Sequence, residues 1–338
     1  QYDLNINATD AVGNSNSSVN CSVVMDSLSP KIEISGNFTQ WQNSSALIDV
    51  SLNDDNEIAK VKWDSGNHEA SYFATNGNDL SSPYDFTVTS NGSYTVYAQD
   101  AAGNENISVV QVSKIDTTDA IINFGTNGNS TYSANHSTRV SASDSLSGIE
   151  KLEYSWTQTE ESAGSWYEFT NGEFLSKDNV YGGWYLHIRA TDSAGNINHS
   201  VSNAFNFDNT PPVINDVEHP ESPNTGDNIT IKINATDNIG VEIHNITVDG
   251  EEYQMNEDSG NYTHNISIPA SDSGTLVSLI TYNCTFVDVA GNMNSTGNTE
   301  IDVFILPIAD FSANVTRGTI PLSVEFTDNS SGLVEEWD

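Results

Sequence analysis

The stretch Asp100-Ala101-Ala102-Gly103-Asn104 decides the fold, because related stretches recur at three other places in the chain. Each copy lies between two runs of apolar residues, which is the pattern of a strand, a turn and a second strand. We expect the glycine to take a positive φ and the aspartate to cap the backbone amides of the turn. Copies at a spacing of roughly ninety residues indicate a tandem repeat. The other three copies are Asp10–Asn14, Asp192–Asn196 and Asp288–Asn292.

The segments between these turns predict the domain type. Each carries about seven short strands, which is typical of an immunoglobulin-like sandwich. The fold class is therefore all-β, with tandem Ig-like, Greek-key β-sandwich domains arranged as beads on a string. Proline at Pro30 and at Pro211-Pro212 marks linkers, because proline cannot continue a strand ladder. The predicted units are the last strands of a partial Ig-like domain at 1–29, Ig-like domains at 30–117, 118–209 and 210–305, and a different module at 306–338.

The charge of the chain limits its partners. The chain of 338 residues has 47 Asp and Glu against 10 Lys and Arg, a formal net charge of −37. A field of that sign repels nucleic acid and anionic membrane surfaces, and it favours solubility and cation binding. No run is apolar enough for a membrane span, so we expect no direct membrane insertion.

Asparagine sequons indicate an extracellular glycoprotein. Asn234 and Thr236 flank the inward residue Ala235 on a predicted strand, so both side chains point outward, where a glycan needs them. The alternative is that Asn-x-Thr only fills the outer face of a strand. The predicted sites of N-linked glycans are Asn7, Asn16, Asn20, Asn37, Asn43, Asn91, Asn106, Asn129, Asn135, Asn198, Asn228, Asn234, Asn245, Asn261, Asn265, Asn283, Asn294, Asn314 and Asn329.

The last residues resemble a known family. Ala309-Asp310-Phe311, the run from Gly318 to Phe326 and Trp337-Asp338 follow the motif order at the start of a PKD (polycystic kidney disease) domain. The earlier repeats are similar to Ig-like modules of prokaryotic surface proteins, which share the Asp-x-Ala-Gly-Asn turn and the Asn209-Thr210-Pro211-Pro212 junction. The two resemblances together imply an archaeal cell-envelope protein, and neither implies an enzymatic activity.

Catalytic chemistry has little support in the sequence. The seven histidines are scattered, without the spacing of a zinc protease, a nucleophile elbow or a phosphate-binding glycine loop. Carboxylates are so abundant that a pair of them carries no information. Cys21 and Cys284 fall in different repeats, so a bridge within one domain is not expected, and two buried thiols are favoured over an intermolecular disulfide. We therefore predict no enzyme, no catalytic residue and no required cofactor.

Structural Ca²⁺ is the ion that the sequence allows, since Ca²⁺ prefers clustered carboxylate and carbonyl oxygens. The alternative is that the acids only cap turns. Turn acids after the second strand of each repeat could meet acids of the linkers, and that contact would stiffen the junction. We assign the aspartate of the Gly-Asn turn to its turn rather than to the cation. The predicted metal ligands are Asp54, Asp55, Asp144 and Asp237 in the turns and Asp116 and Asp208 in the linkers, with Asp26 and Asp119 as further linker acids.

Three functions remain open at this level. The first is a structural protein, such as a stalk, filament, sheath or surface-layer component, that binds copies of itself or other envelope proteins. The second is an adhesin or carbohydrate-binding protein that uses the aromatic residues of 118–209, where core packing is the alternative. The third is a non-catalytic spacer of a large secreted hydrolase. The chain ends could belong to a longer array, or they could complete a sandwich of the next subunit.

Overall fold

The computed structural model describes residues 2–23, 25–270, 278–305 and 309–330. In residues 2–7 and 16–23, and at residue 278, only the backbone is described. Nearly every regular element is a β-strand, and the strands form three successive two-sheet sandwiches with one hairpin on either side. The prediction of tandem Ig-like β-sandwiches is confirmed by this arrangement.

The first hairpin and the first sandwich follow in chain order. Strands β1 (Tyr2–Thr9) and β2 (Ser15–Val23) pair with each other as an antiparallel hairpin. The sandwich then places its first, second and fifth strands in one sheet and the other four in the second sheet. Its strands are β3 (Lys31–Gly36), β4 (Ala46–Asn53), β5 (Ile58–Ser65), β6 (Asn78–Asp79), β7 (Asp85–Val88), β8 (Gly92–Asp100) and β9 (Glu105–Val112).

The second sandwich repeats this plan with additional short strands. One sheet has the order β10-β12-β15, and the other has the order β11-β18-β16-β13-β14 with β17 paired to β16. The strands are β10 (Ile121–Phe124), β11 (Asn129–Ser133), β12 (Asn135–Ser143), β13 (Ile149–Thr157), β14 (Tyr167–Glu168), β15 (Phe174–Asp178), β16 (Gly182–Asp192), β17 (Ile197–Val201) and β18 (Phe205–Phe207).

The third sandwich has the sheets β19-β20-β24-β23 and β22-β21-β25-β26, with β27 paired to β25. A short hairpin of β28 and β29 follows it. The strands are β19 (Val213–Glu218), β20 (Asn228–Thr236), β21 (Val241–Val248), β22 (Glu251–Gln254), β23 (Asn256–Asp258), β24 (Asn261–Ser267), β25 (Ser278–Asp288), β26 (Met293–Ser295), β27 (Thr299–Val303), β28 (Phe311–Ala313) and β29 (Phe326–Asp328).

Alternation along the strands builds each core between its two sheets. In β20, Ile229, Ile231 and Ile233 point inward and are buried, while the residues between them face outward. They pack in one cluster with residues of the opposite sheet, among them Tyr282 and Phe286. Removing such side chains from water is the main favourable contribution to the stability of each sandwich, about 1.5–3 kcal/mol for each large side chain.

The repeated turn has the predicted geometry in all four copies. In the copy that follows β8, the amide of Gly103 donates to the carbonyl of Asp100 at 3.3 Å, and the glycine has a φ of 96°. The glycines of the other copies have φ values of 90° to 92°. A side chain would be strained at these angles, which is why glycine occupies the position each time. The turn joins two antiparallel strands in each sandwich: β8 and β9 in the first, β16 and β17 in the second, and β25 and β26 in the third.

Candidate metal centres at the junctions

One carboxylate triad lies at the start of each sandwich, where the preceding linker enters. Each triad offers three ligand oxygens that lie within 4.8 Å of one another. Among the residues that the structure describes, these are the groups of three or more His, Cys, Asp or Glu with such spacing. The triads are Asp26, Asp54 and Asp100 at the first junction, Asp116, Asp144 and Asp192 at the second, and Asp208, Asp237 and Asp288 at the third.

At the second and third junctions, the linker member of the triad connects two sandwiches. The backbone amide of Asp208 donates to the carbonyl of Ser133 in the second sandwich at 3.1 Å, while its carboxylate lies in the triad of the third. Asp116 does the same at the second junction, with its amide bonded to Gln42 at 2.9 Å. A cation bound by either triad would therefore contact the linker and the following sandwich together.

The turn acids of the triads are held in place by Asx-type turns, in which the aspartate side chain accepts backbone amides of its own turn. Asp237 accepts the amides of Ile239 and Gly240 with Oδ1, at 2.8 and 3.1 Å, and its Oδ2 is buried without a hydrogen-bond partner among the described residues. Asp144 binds the amides of its own turn in the same way, as expected for aspartate at the start of a turn. Of the other acids that the sequence suggested, Asp55 and Asp119 are exposed and lie outside the triads.

The third acid of each triad is the aspartate of the repeated Gly-Asn turn. The sequence assigned it to that turn alone, whereas in the structure it also belongs to the triad. Asp288 caps its turn by accepting the amide of Asn292 at 2.8 Å, as predicted. It is also fully buried and belongs to the triad. Asp100 and Asp192 repeat both features. Sequence reasoning assigned these acids to their turns alone, because the stretch was interpreted as a hairpin turn that recurs with each domain.

The third triad is the least compensated electrostatically. Asp208 is fully buried, and its Oδ2 receives no hydrogen bond from any described residue. The same is true of Oδ2 of Asp237. Two carboxylates at 4 Å repel each other by about 4 kcal/mol when the effective dielectric constant is near 20, and a buried acceptor without a partner adds a desolvation cost. A divalent cation among the three oxygens would reverse both terms.

The second triad is compensated by the protein itself. Burial would raise the pKa of Asp116, but hydrogen bonds from Thr118 and Ser147 outweigh it and lower the pKa to about 2. The pKa of Asp100 in the first triad is lowered for the same reason: amide donors of its turn, chiefly from Asn104, outweigh the effect of burial. Both acids are therefore anionic at neutral pH.

Two asparagines of each sandwich hold its linker in place, a role that sequence reasoning did not assign to them. In the second sandwich, Nδ2 of Asn196 donates to the carbonyl of Asp116 at 2.9 Å. Nδ2 of Asn198 donates to the carbonyl of Ala120 at 2.7 Å. The equivalent bonds run from Asn104 to Asp26, Asn106 to Pro30, Asn292 to Asp208 and Asn294 to Pro212.

A sequence signal for these asparagines exists. Every copy of the turn continues as Gly-Asn-x-Asn, with the two asparagines at a constant spacing. The turn alone needs only its glycine and its aspartate, so a second asparagine at a fixed position points to a contact outside the turn.

The predicted glycosylation sites fall into two groups on the described surface, and the side chains of Asn7, Asn16 and Asn20 lie outside it. Three of the half-buried sequon asparagines, Asn106, Asn198 and Asn294, are among the linker-binding asparagines just described. The exposed sequon asparagines are Asn37, Asn43, Asn91, Asn135, Asn228, Asn265, Asn314 and Asn329. The half-buried ones are Asn106, Asn129, Asn198, Asn234, Asn245, Asn261, Asn283 and Asn294.

The aromatic residues of the second sandwich divide between the core and one surface cleft. Trp156 and Phe169 pack against the core cluster, as the packing alternative expected. A cleft of about 390 Å³ lies beside them, lined by aromatic rings and serine hydroxyls. The ammonium group of Lys177 lies 4.3 Å from the centre of the Trp184 ring at this cleft. The lining residues are Tyr154, Ser155, Trp156, Ser165, Tyr167, Ser176, Lys177 and Trp184.

The module predicted at 306–338 is described only in part. Strands β28 and β29 form an antiparallel hairpin in which Phe311 and Phe326 contact each other edge to face. The motif at Trp337-Asp338 and residues 306–308 lie outside the described residues. No helix in the described part of the chain has the length and apolar character needed to span a membrane.

The chain resembles solved structures only distantly, with TM-scores below 0.4 for those named below. The chain matches no family model and no curated protein. Solved structures that resemble it include domains 3–5 of the extracellular part of Drosophila OTK, with 13% identity, 79% of this chain and 92% of that chain covered, and a TM-score of 0.34. A structure from work on host cell surface retention of a 1.5-MDa bacterial ice-binding adhesin has 15% identity, 83% and 100% coverage, and a TM-score of 0.37. Domains A168–A170 of titin have 10% identity, 82% and 100% coverage, and a TM-score of 0.35.

Proposed function

We propose that this chain is an extracellular, non-catalytic scaffold of N-glycosylated Ig-like sandwiches whose junctions are braced by Ca²⁺. Such a protein serves as a stalk, filament, sheath or surface-layer component of a cell envelope, and it binds copies of itself or other envelope proteins. The archaeal origin and the PKD-type module at 306–338 belong to the same proposal, and they rest on the resemblances in the sequence.

The proposal depends chiefly on the linker acid of the third junction, Asp208. Asp208 is bonded to the second sandwich through its backbone and belongs to the triad of the third, and its buried Oδ2 has no donor among the described residues. A bound Ca²⁺ would tie the linker to the sandwich that follows it. A triad of linker, turn and hairpin acids recurs at all three junctions, and this repetition supports a mechanical role in which each sandwich is held to the linker before it.

The experiment is a comparison of the intact chain in calcium and in a chelator. We expect millimolar Ca²⁺ to raise the melting temperature and to narrow the distribution of molecular lengths in small-angle scattering. Calorimetric titration of the chelator-treated chain must show heat of binding. The absence of both the heat and the rise in melting temperature would end the cation part of the proposal. Regular polymers in negative-stain images would support the filament form, and single beaded chains would favour a stalk.

Carbohydrate binding is the second candidate, because the cleft of the second sandwich combines aromatic faces with hydroxyl groups. Trp156 and Trp184 both line it, and sugar rings stack on indole faces while their hydroxyls need polar partners. A glycan array probed with the chain and with Trp184→Ala tests this candidate. Carbohydrate binding is supported if the parent chain binds a glycan and the variant does not. It is excluded if the parent chain gives no signal on the array.

A further inference from the structure

We propose that the three junctions bind cations unequally, and that the triad of Asp208, Asp237 and Asp288 is the tight site for a divalent cation such as Ca²⁺. This inference rests on the proposed bracing of the junctions and adds which junction depends on it. The difference arises from the donors that the protein itself places at each linker aspartate.

At the third junction the protein supplies the fewest donors. Oδ1 of Asp208 accepts the amide of Thr210 at 3.0 Å, and Oδ2 is buried without a donor among the described residues. Asp237 also keeps one buried oxygen without a partner. The nearest turn residues donate to the other oxygen of Asp237. Two anionic oxygens therefore remain for a hard cation.

At the second junction, a backbone amide donates to the linker acid at the oxygen that has no donor in Asp208. The amide of Ser147 donates to Oδ2 of Asp116 at 3.0 Å. The amide and the hydroxyl of Thr118 donate to Oδ1, at 3.0 and 2.6 Å. Both oxygens of this buried aspartate are hydrogen-bonded, so a cation would have to compete with donors that are already in place.

At the first junction, the side chain of Asn56 donates to the linker acid Asp26. Nδ2 of Asn56 donates to Oδ2 of Asp26, and the amide of Leu28 donates to Oδ1 at 3.0 Å. Asp26 is also only partly buried, so water reaches it. We infer that this linker is held by Asn56 and is the least dependent on a cation.

One sequence position accounts for the contrast between the first and third junctions. Asn56 stands two residues after the turn acid Asp54, and Ile239 stands two residues after Asp237. Ile239 has no side-chain donor, so the linker acid of the third junction stays uncompensated. Exchanging these residue types should exchange the cation requirement of the two junctions.

The test is calorimetric titration of the intact chain with CaCl₂ alone. We expect one tight site in the parent chain, weakened about tenfold or more in Asp237→Asn and in Ile239→Asn. Asn56→Ile should create a second tight site. Asp55→Asn is the matched control, because it removes one charge from an exposed acid beside the first triad and should leave the titration unchanged. Circular dichroism in chelator must show that each variant keeps its strands.

The outcomes separate the two proposals. Three equal sites, or a tight site that survives both Asp237→Asn and Ile239→Asn, would overturn the inequality and leave the bracing intact. No binding by the folded parent chain at millimolar CaCl₂ would overturn the bracing and this inference together. A tight site that moves with the exchange of Asn56 and Ile239 would support both.

Discussion

The backbone amide of Ser147 donates to Oδ2 of Asp116 at 3.0 Å, although Asp116 belongs to the linker and Ser147 to a turn of the second sandwich. The bond joins residues that are 31 positions apart, and it lies where the corresponding oxygen of Asp208 has no described donor. The orientation of each sandwich to its linker therefore depends on a few polar atoms. That dependence leads to the following predictions.

Asn196→Ala should loosen the second junction. The side chain bonds to the carbonyls of Asp116 and Thr118 and to Oδ2 of Asp192, so its removal leaves buried acceptors without partners. We expect a loss of about 1–3 kcal/mol in the free energy of unfolding of the second sandwich. Hydrogen exchange of the backbone amides of β12 to β17 in denaturant, followed by mass spectrometry, measures it for this sandwich separately from the others.

The matched control is Asn123→Ala, which truncates an exposed asparagine in the same sandwich. It should change the free energy of unfolding by a few tenths of a kcal/mol at most. Equal losses in the two variants would show that the contacts of Asn196 with the linker contribute nothing.

Glycan occupancy should differ between two kinds of sequon. Asn106, Asn198 and Asn294 are half-buried and use their amide nitrogen to hold a linker carbonyl, whereas Asn135 and Asn265 are exposed. Because a glycan is attached at that same nitrogen and needs open space, we expect low occupancy at the first three. Site-resolved mass spectrometry of protein from a glycosylating host measures it. Full occupancy at all three would contradict the structural role.

The same asparagines should matter without any glycan. In protein from a host that does not glycosylate, Asn106→Gln should lower the melting temperature, because the longer side chain displaces the donor from the carbonyl of Pro30. Asn135→Gln serves as the control on an exposed position of the neighbouring sandwich. A melting temperature that is unchanged in Asn106→Gln would argue against the linker contact.

Acid should weaken the second junction through Asp116. Its pKa is lowered from 3.8 to about 2, because hydrogen bonds from Thr118 and Ser147 outweigh the effect of burial. A folded-state pKa below the unfolded value contributes stability above pH 3.8, and that contribution is lost as the pH falls toward 2. Asp116→Asn removes this contribution, so the difference in melting temperature between parent and variant should shrink over that interval. A difference that stays constant from pH 5 to pH 2 would contradict it.

Cys284 should be chemically inert in the folded chain. The side chain is fully buried in the core of the third sandwich, and burial raises the pKa of its thiol to about 12. The thiolate is the reactive species, so alkylation at neutral pH requires unfolding. Mass spectrometry after iodoacetamide treatment, with and without denaturant, checks this. Rapid labelling of Cys284 without denaturant would show that the third sandwich opens under native conditions.

Much of the fold could be predicted from local patterns. The alternation of Ile229, Ile231 and Ile233 indicates one buried face of a strand, and the structure confirms it. The glycine of each repeated turn was predicted to have a positive φ, and it does. These features follow from sterics and from side-chain period over a few residues, so one sequence is enough to see them.

The sites were predicted less completely. The sequence suggested Asp116 with Asp144 and Asp208 with Asp237, and the structure brings both pairs together. It also adds Asp192 and Asp288, which the sequence assigned to hairpin turns, and it leaves Asp55 outside. In a chain with 47 acidic residues, no local pattern selects which acids will meet.

Local sequence patterns specify the sandwich unit and its repetition, because strands and turns depend on neighbouring residues. Contacts between residues far apart in the chain specify which groups share a junction. The linker acid, the turn acid and the hairpin acid are brought to one pole because strands β4, β5 and β8 end or begin there, and the same holds for their counterparts in the other sandwiches. In our proposal, the affinity of each junction for a cation depends on a single nearby donor, such as the side chain of Asn56 or the amide of Ser147. Its effect is visible only when distances between atoms are known.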